Sequence, residues 1–186
     1  MPSRRRRVHP EAIGQVTGTT EDKMALYMKF DPIKGDVTEI NHKDWLLIQA
    51  ISNGFSRYLT SAVGAGQNRE GSTPDFQDVH ITRTTDKATP ELMKLALDGG
   101  RGKEVIFEFT TSDQTPFVYY QIKLFDVMIS SYQQSAAGGG AGNIPTDSIA
   151  LNFRKFEAKY IQRKTDGSPG ESKLAGYDLS TAKAHL

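Results

Sequence analysis

Two long alternating stretches of this chain change phase midway, and that change constrains the fold more than any other feature. Between Phe117 and about Ser131, Val118, Tyr120, Ile122 and Leu124 share one side of an extended backbone, but beyond Asp126 the apolar set becomes Val127 and Ile129. Between Asp147 and about Gln162, Ile149, Leu151 and Phe153 give way in the same manner to Phe156, Ala158 and Tyr160. Side chains on a strand alternate between its two faces, so keeping one apolar face through a one-residue slip requires an extra residue. Such a β-bulge bends the strand and turns the corners of barrels. A closed or nearly closed sheet follows, with the chain mainly β.

The remaining pattern fits around those strands. Leu26, Met28 and Phe30 alternate with Ala25, Tyr27 and Lys29 until Pro32 and Gly35 break the run. Trp45 to Ile51 is nearly continuous in apolar residues, which predicts a strand covered on both faces. In 76–85, Phe76, Asp78, His80 and Thr82 fall on one side and Val79, Ile81 and Arg83 on the other, and Val105 to Thr110 reads as a further strand. One short α-helix is well punctuated. Thr89 caps it, Pro90 occupies the first helical position, Glu91 suits the N-terminal end, and Gly99-Gly100 stops it. Leu92, Met93, Ala96 and Leu97 form its apolar stripe, so it must dock on the sheet.

The 186 residues suit one domain, divided as a polar segment 1–23, a barrel 24–163 and a C-terminal extension 164–186. Segment 1–23 reads as a disordered leader, or as sequence ahead of an alternative start at Met24. Its Arg4–Arg7 cluster is followed by no apolar stretch, so it is not a signal peptide. The net charge of +1 belongs to that segment, since residues 24–186 carry 18 Lys/Arg against 19 Asp/Glu. Nothing in this balance favours nucleic acid or an anionic membrane. The absence of cysteine excludes disulfides and thiolate metal sites. No run approaches the ~18 apolar residues of a membrane-spanning helix. Long loops are predicted at 59–75 and 134–146.

A search for chemistry returns little. The histidines His9, His42, His80 and His185 include no i, i+4 pair, and Asp78 with His80 on one strand face has no third ligand. Gly138 to Gly142 lacks the Gly-Lys-Ser/Thr ending of a phosphate loop, and no Gly-x-Ser-x-Gly elbow is present. No catalytic, metal-binding or cofactor-binding residues are therefore assigned, and an enzyme is not expected.

Ile33–Thr38 with His42–Trp45, then Asp86–Pro90, Ile129–Gln133 and Gly176–Leu179, resemble in order and spacing the haemolysin-coregulated protein (Hcp) family of bacterial type VI secretion. The resemblance covers residues 24–186. It implies a two-sheet β-barrel with one short α-helix and long loops, forming hexameric rings that stack into a secreted tube. Implied partners are other copies of the chain, the spike, sheath and baseplate proteins, and effectors carried in the lumen. The implied location is the bacterial cytoplasm, followed by export through the apparatus without a cleaved signal peptide. Within loop 59–75, Val63, Gln67, Asn68, Arg69 and Glu70 are expected to contact the next ring, and Ser52 and Asn53 to face the lumen. The alternatives are a phage-like tail-tube protein and a small-ligand or glycan-binding barrel using Tyr119, Tyr120 and Phe125.

Overall fold

A computed structural model describes residues 24–59, 71–113, 116–138 and 144–185. In chain order the strands are β1 (Ala25–Phe30), β2 (Leu46–Ile48), β3 (Ala50–Ser52), β4 (Phe55–Ser56), β5 (Asp75–Phe76) and β6 (Val79–Thr84). The helix α1 (Thr89–Asp98) follows, then β7 (Arg101–Thr110), β8 (Val118–Ser135), β9 (Thr146–Asn152), β10 (Lys155–Arg163), β11 (Pro169–Asp178) and β12 (Lys183–His185).

The large sheet runs β12-β11-β10-β8-β7-β1-β2, antiparallel throughout. A second branch returns to β8 through β3, β6 and β9. The 18-residue β8 joins the two branches. Its first half pairs with β10, from Tyr120 opposite Tyr160 to Phe125 opposite Lys155. Its second half pairs with β9, from Met128 opposite Asn152 to Ser135 opposite Thr146. Between them Asp126 takes a left-handed φ of 53°, and the register shifts again between Ile129 and Ser131. The expected phase change is therefore real: buried positions run Ile122, Leu124, then Val127 and Ile129. The stretch 147–162, expected as one long strand with a bulge, is instead two strands, β9 and β10, which part at Phe153-Arg154.

The opposite corner differs from the expectation for 45–51. This stretch is two short strands, with Leu46 and Ile48 buried but Leu47 54% exposed. β2 pairs with β1, and the Gln49 amide then donates to Thr82 O (2.8 Å) as β3 passes onto β6. The chain changes partners there, so the barrel is not closed by one continuous ladder.

Met28, Phe30, Leu46, Phe107, Ile122, Leu124, Ile149 and Leu151 form the centre of the core. Helix α1 buries Leu92 and packs Leu95 and Ala96 against that core, whereas Met93 and Leu97 face solvent. The stripe thus lies one position round from the one expected. Thr89 does not cap the helix: the cap is Ala88, without a side-chain bond, because the Thr89 hydroxyl donates to Asp147 instead. Residues 169–178, expected as part of an extension, pair along β10 and make a three-stranded flap beyond the barrel. No helix among the described residues is long and apolar enough to cross a membrane.

Candidate functional site

Three surfaces and two buried polar clusters stand out, and none has the form of a catalytic centre. The first cluster holds the loop before β2. Gly35 lets this loop lie against β2, since a Cβ there would meet Trp45 O at 2.2 Å. Amides of Gly35 and Val37 donate to Asp44 O and Trp45 O. Within the loop, residues 40–42 form a 3₁₀ turn capped by the Glu39 carboxylate, which accepts from the amides of Asn41 and His42. This places the buried His42 ring between two carboxylates, with Nδ1 2.5 Å from Glu39 and Nε2 2.8 Å from Glu108. Tyr27 stacks on the ring at 4.3 Å, Trp45 meets it edge-on, and Gln121 donates to the other Glu108 oxygen. Burial acts to raise the Glu39 carboxyl, but the bonds from His42 and Asn41 outweigh it and hold the group below the usual carboxylate range.

The second cluster ties α1 to the barrel. Arg83, fully buried, pairs with Asp86 and donates to Thr84 O from Nε and Nη2. Asp147, directly opposite on β9, accepts from Thr85 (3.1 Å), Thr89 (2.6 Å) and Gln134 (3.1 Å). Burial, followed by the Asp147 carboxylate, pushes the Tyr132 phenol up to about 12.

The first surface is the outward face of β3, β6, β9 and the second half of β8. Register places Ser52, His80, Ala150 and Ser131 in one row and Ala50, Thr82, Ser148 and Gln133 in the next. Asp78 supplies a carboxylate at one end, occupied by Ser130 (2.5 Å) and Asn152 (2.8 Å). The face is otherwise small and uncharged, in contrast to the Lys- and Glu-bearing strands β7 and β10. Both Ser52 and Asn53 are exposed, and Ser52 stands on this face opposite His80.

The second surface is an arm built from β4 and β5 and continued by a bridge between Leu59 and Gly71. Val63, Gln67, Asn68, Arg69 and Glu70 lie outside the described residues, beyond that bridge. The arm's base packs through Phe76 on Phe153, Phe156 and Tyr177. Beside it lies a nearly wholly apolar cleft of about 230 Å³. The third surface is a groove of about 420 Å³ between the loop before β2 and the turn after β6.

The aromatics of the glycan-binding alternative do not converge. Tyr119 and Tyr120 pack on Phe109, and Phe125 lies under the Lys155 ammonium at 5.0 Å. Among the described residues, no group of three or more His, Asp or Glu is placed to hold a metal ion. Sequence reasoning missed the His42 clamp, because Glu108 lies 66 residues away and nothing local signals the pairing.

Comparison with known proteins gives a consistent result. The family described as "Type VI secretion system effector, Hcp" matches residues 27–160. Protein hcp1 of Pseudomonas aeruginosa is 29% identical over 97 residues, which are 50% of this chain and 57% of that protein. The chain thus matches a little over half the length of this curated relative. A solved structure described as a type six secretion system protein superposes with a TM-score of 0.81 at 24% identity, covering 88% of this chain and 100% of the other. Hcp1 from Salmonella typhimurium gives 0.69 at 17% identity, covering 87% and 99%. At these identities the superpositions speak for the fold alone, while the family match spans most of the chain. This barrel belongs to the Hcp family of the type VI secretion system.

Proposed function

We propose that this chain is a structural, non-catalytic subunit that assembles head to tail into hexameric rings, which stack into the type VI secretion tube. The tube is exported with effectors held in its lumen, and its partners are the spike, sheath and baseplate proteins and the effectors themselves. The observation that carries this reading is the uncharged face of β3, β6, β9 and β8. A free protein surface is ordinarily about a quarter to a third charged. An exposed four-stranded face of Ser, Thr, Ala, Gln and His suits the wall of a wet channel, where small side chains hold varied cargo weakly and let it slide. Ser52 belongs to that wall, with Asn53 at its margin. Val63, Gln67, Asn68, Arg69 and Glu70 are assigned to contact with the next ring, where rim ion pairs of ~0–1 kcal/mol each keep stacking reversible.

A ring requires a heterologous interface whose rotation closes, and a tube requires a second that stays open. Light scattering of the purified full chain, with electron micrographs of the same sample, tests this. The expected result is a hexamer mass and ring-shaped particles. A single-protomer mass throughout the micromolar range refutes the proposal.

A further inference from the structure

The two ends of the seven-strand path present opposite faces, and each carries exposed apolar side chains. At the β12-β11-β10 end the core face of the sheet continues past the barrel wall. Buried Ile122 lines up with Ala158 and Ala175, and buried Leu124 with Phe156, Tyr177 and Ala184. The outer members of these rows are exposed, because the barrel has ended and only the base of the arm lies beside them. The apolar cleft opens here, flanked by Phe55, which is 66% exposed, and its single charged lining residue is Arg57.

At the β1-β2 end the reverse face is the exposed one. Tyr27 and Leu47 are register partners on the outer side of the sheet, and His42 stacks on Tyr27 there. The 3₁₀ turn that carries His42 also carries Ile40, the most exposed large apolar residue among those described, at 92%. The adjoining groove has three charged lining residues, Asp36, Glu39 and Asp86, all carboxylates. One end therefore has an apolar hollow, and the other an apolar knob.

We infer that the flap of β10, β11 and β12 laps over the outer face of the next protomer's β1-β2 edge, with Ile40 of that protomer seated in the apolar cleft. The inference rests on the ring reading and names its protomer contact. The occupant is a second copy of this chain for two reasons. Both patches are apolar at their centres, a knob at Ile40 and a hollow lined by Phe55, Phe76 and Phe156, and they sit at opposite ends of one strand order, as a head-to-tail contact demands. An inward-facing flap over an outward-facing edge is an overlap like that of roof tiles. It covers the uncapped rows of the flap and an isoleucine that gains nothing from exposure. The loop that carries Ile40 is braced by Glu39, His42 and Glu108, so the knob is presented on a rigid base.

The full chain contains no cysteine, which allows a direct test. Ile40→Cys is combined with Ala175→Cys in one variant and with Ala184→Cys in another, and both are oxidised mildly after light scattering has established the assembly state. A heterologous contact gives a ladder of covalent multimers from at least one double variant, and no ladder from any single variant. Ile40→Glu raises the concentration needed for half-assembly about tenfold or more, because an isoleucine loses its burial in the contact. The positions are exposed, so the variants fold, and circular dichroism confirms it. Rings that form while neither double variant gives a ladder overturn this contact and leave the ring reading standing, as does efficient dimerisation of Ile40→Cys alone. Absence of both rings and ladders overturns the ring reading itself.

Discussion

The two buried polar clusters solve the same problem with different chemistry. Each fastens an irregular segment to the barrel: the loop before β2 in one case, helix α1 in the other. The Arg83 cluster uses a guanidinium, a permanent charge with no solvent exposure, and spreads its bonds over three strands, a turn and the helix. The His42 cluster uses an imidazole and concentrates its bonds on two carboxylates. Each ring nitrogen of His42 engages one of them. One fastening is spread over many partners and the other is gathered on two. The spread one holds the helix to the core, and the gathered one holds the loop that carries Ile40.

The largest effect is expected at Arg83. Arg83→Ala leaves Asp86 without its cation in a mostly buried site, and urea unfolding should lose about 3–5 kcal/mol. His42→Ala should cost less, about 2–4 kcal/mol, because Glu39 and Glu108 are partly solvated and can turn to water. If the two costs came out reversed, the contrast between the clusters would be wrong. Thr89→Val removes one of three donors to Asp147 and should cost about 1–2 kcal/mol by the same measurement. The smallest effect is in acid. The Glu39 carboxyl is held below its usual range in the folded chain, so its stabilisation is fully present above the unfolded value of about 4.3 and disappears as pH falls through the folded value. Urea midpoints measured between pH 6 and pH 3 should therefore drop less in His42→Ala than in the parent chain; an equal drop breaks the link between Glu39 and the ring.

Much of the barrel was legible because strands write their faces into the sequence at period two. The slip at Asp126 gave away a bend, since a bulge must leave two apolar residues out of step, and the slip between Phe153 and Phe156 marked the parting of β9 from β10. Trp45 to Ile51 misled for a physical reason. Leu47 is apolar yet exposed, so an unbroken apolar run imitated a strand buried on both sides. Thr89 misled because its hydroxyl had a better acceptor in Asp147, 58 residues downstream, than the helix offered. The fastening clusters were invisible for that same cause: Glu108 and Asp147 join their partners only once the sheet has formed. The small polar face was partly legible, through Ser52, but its extent depends on the register of four strands that no local pattern supplies.

Strand β8 gives up hydrogen bonds to β7 along one edge and to both β10 and β9 along the other. Neither branch of the sheet can therefore melt without stripping a neighbour from the strand that the other branch needs. Loss of any part propagates to the whole, and the chain should unfold in a single cooperative step. That shared spine means mechanical load on the chain is borne by the entire barrel rather than by its weakest corner.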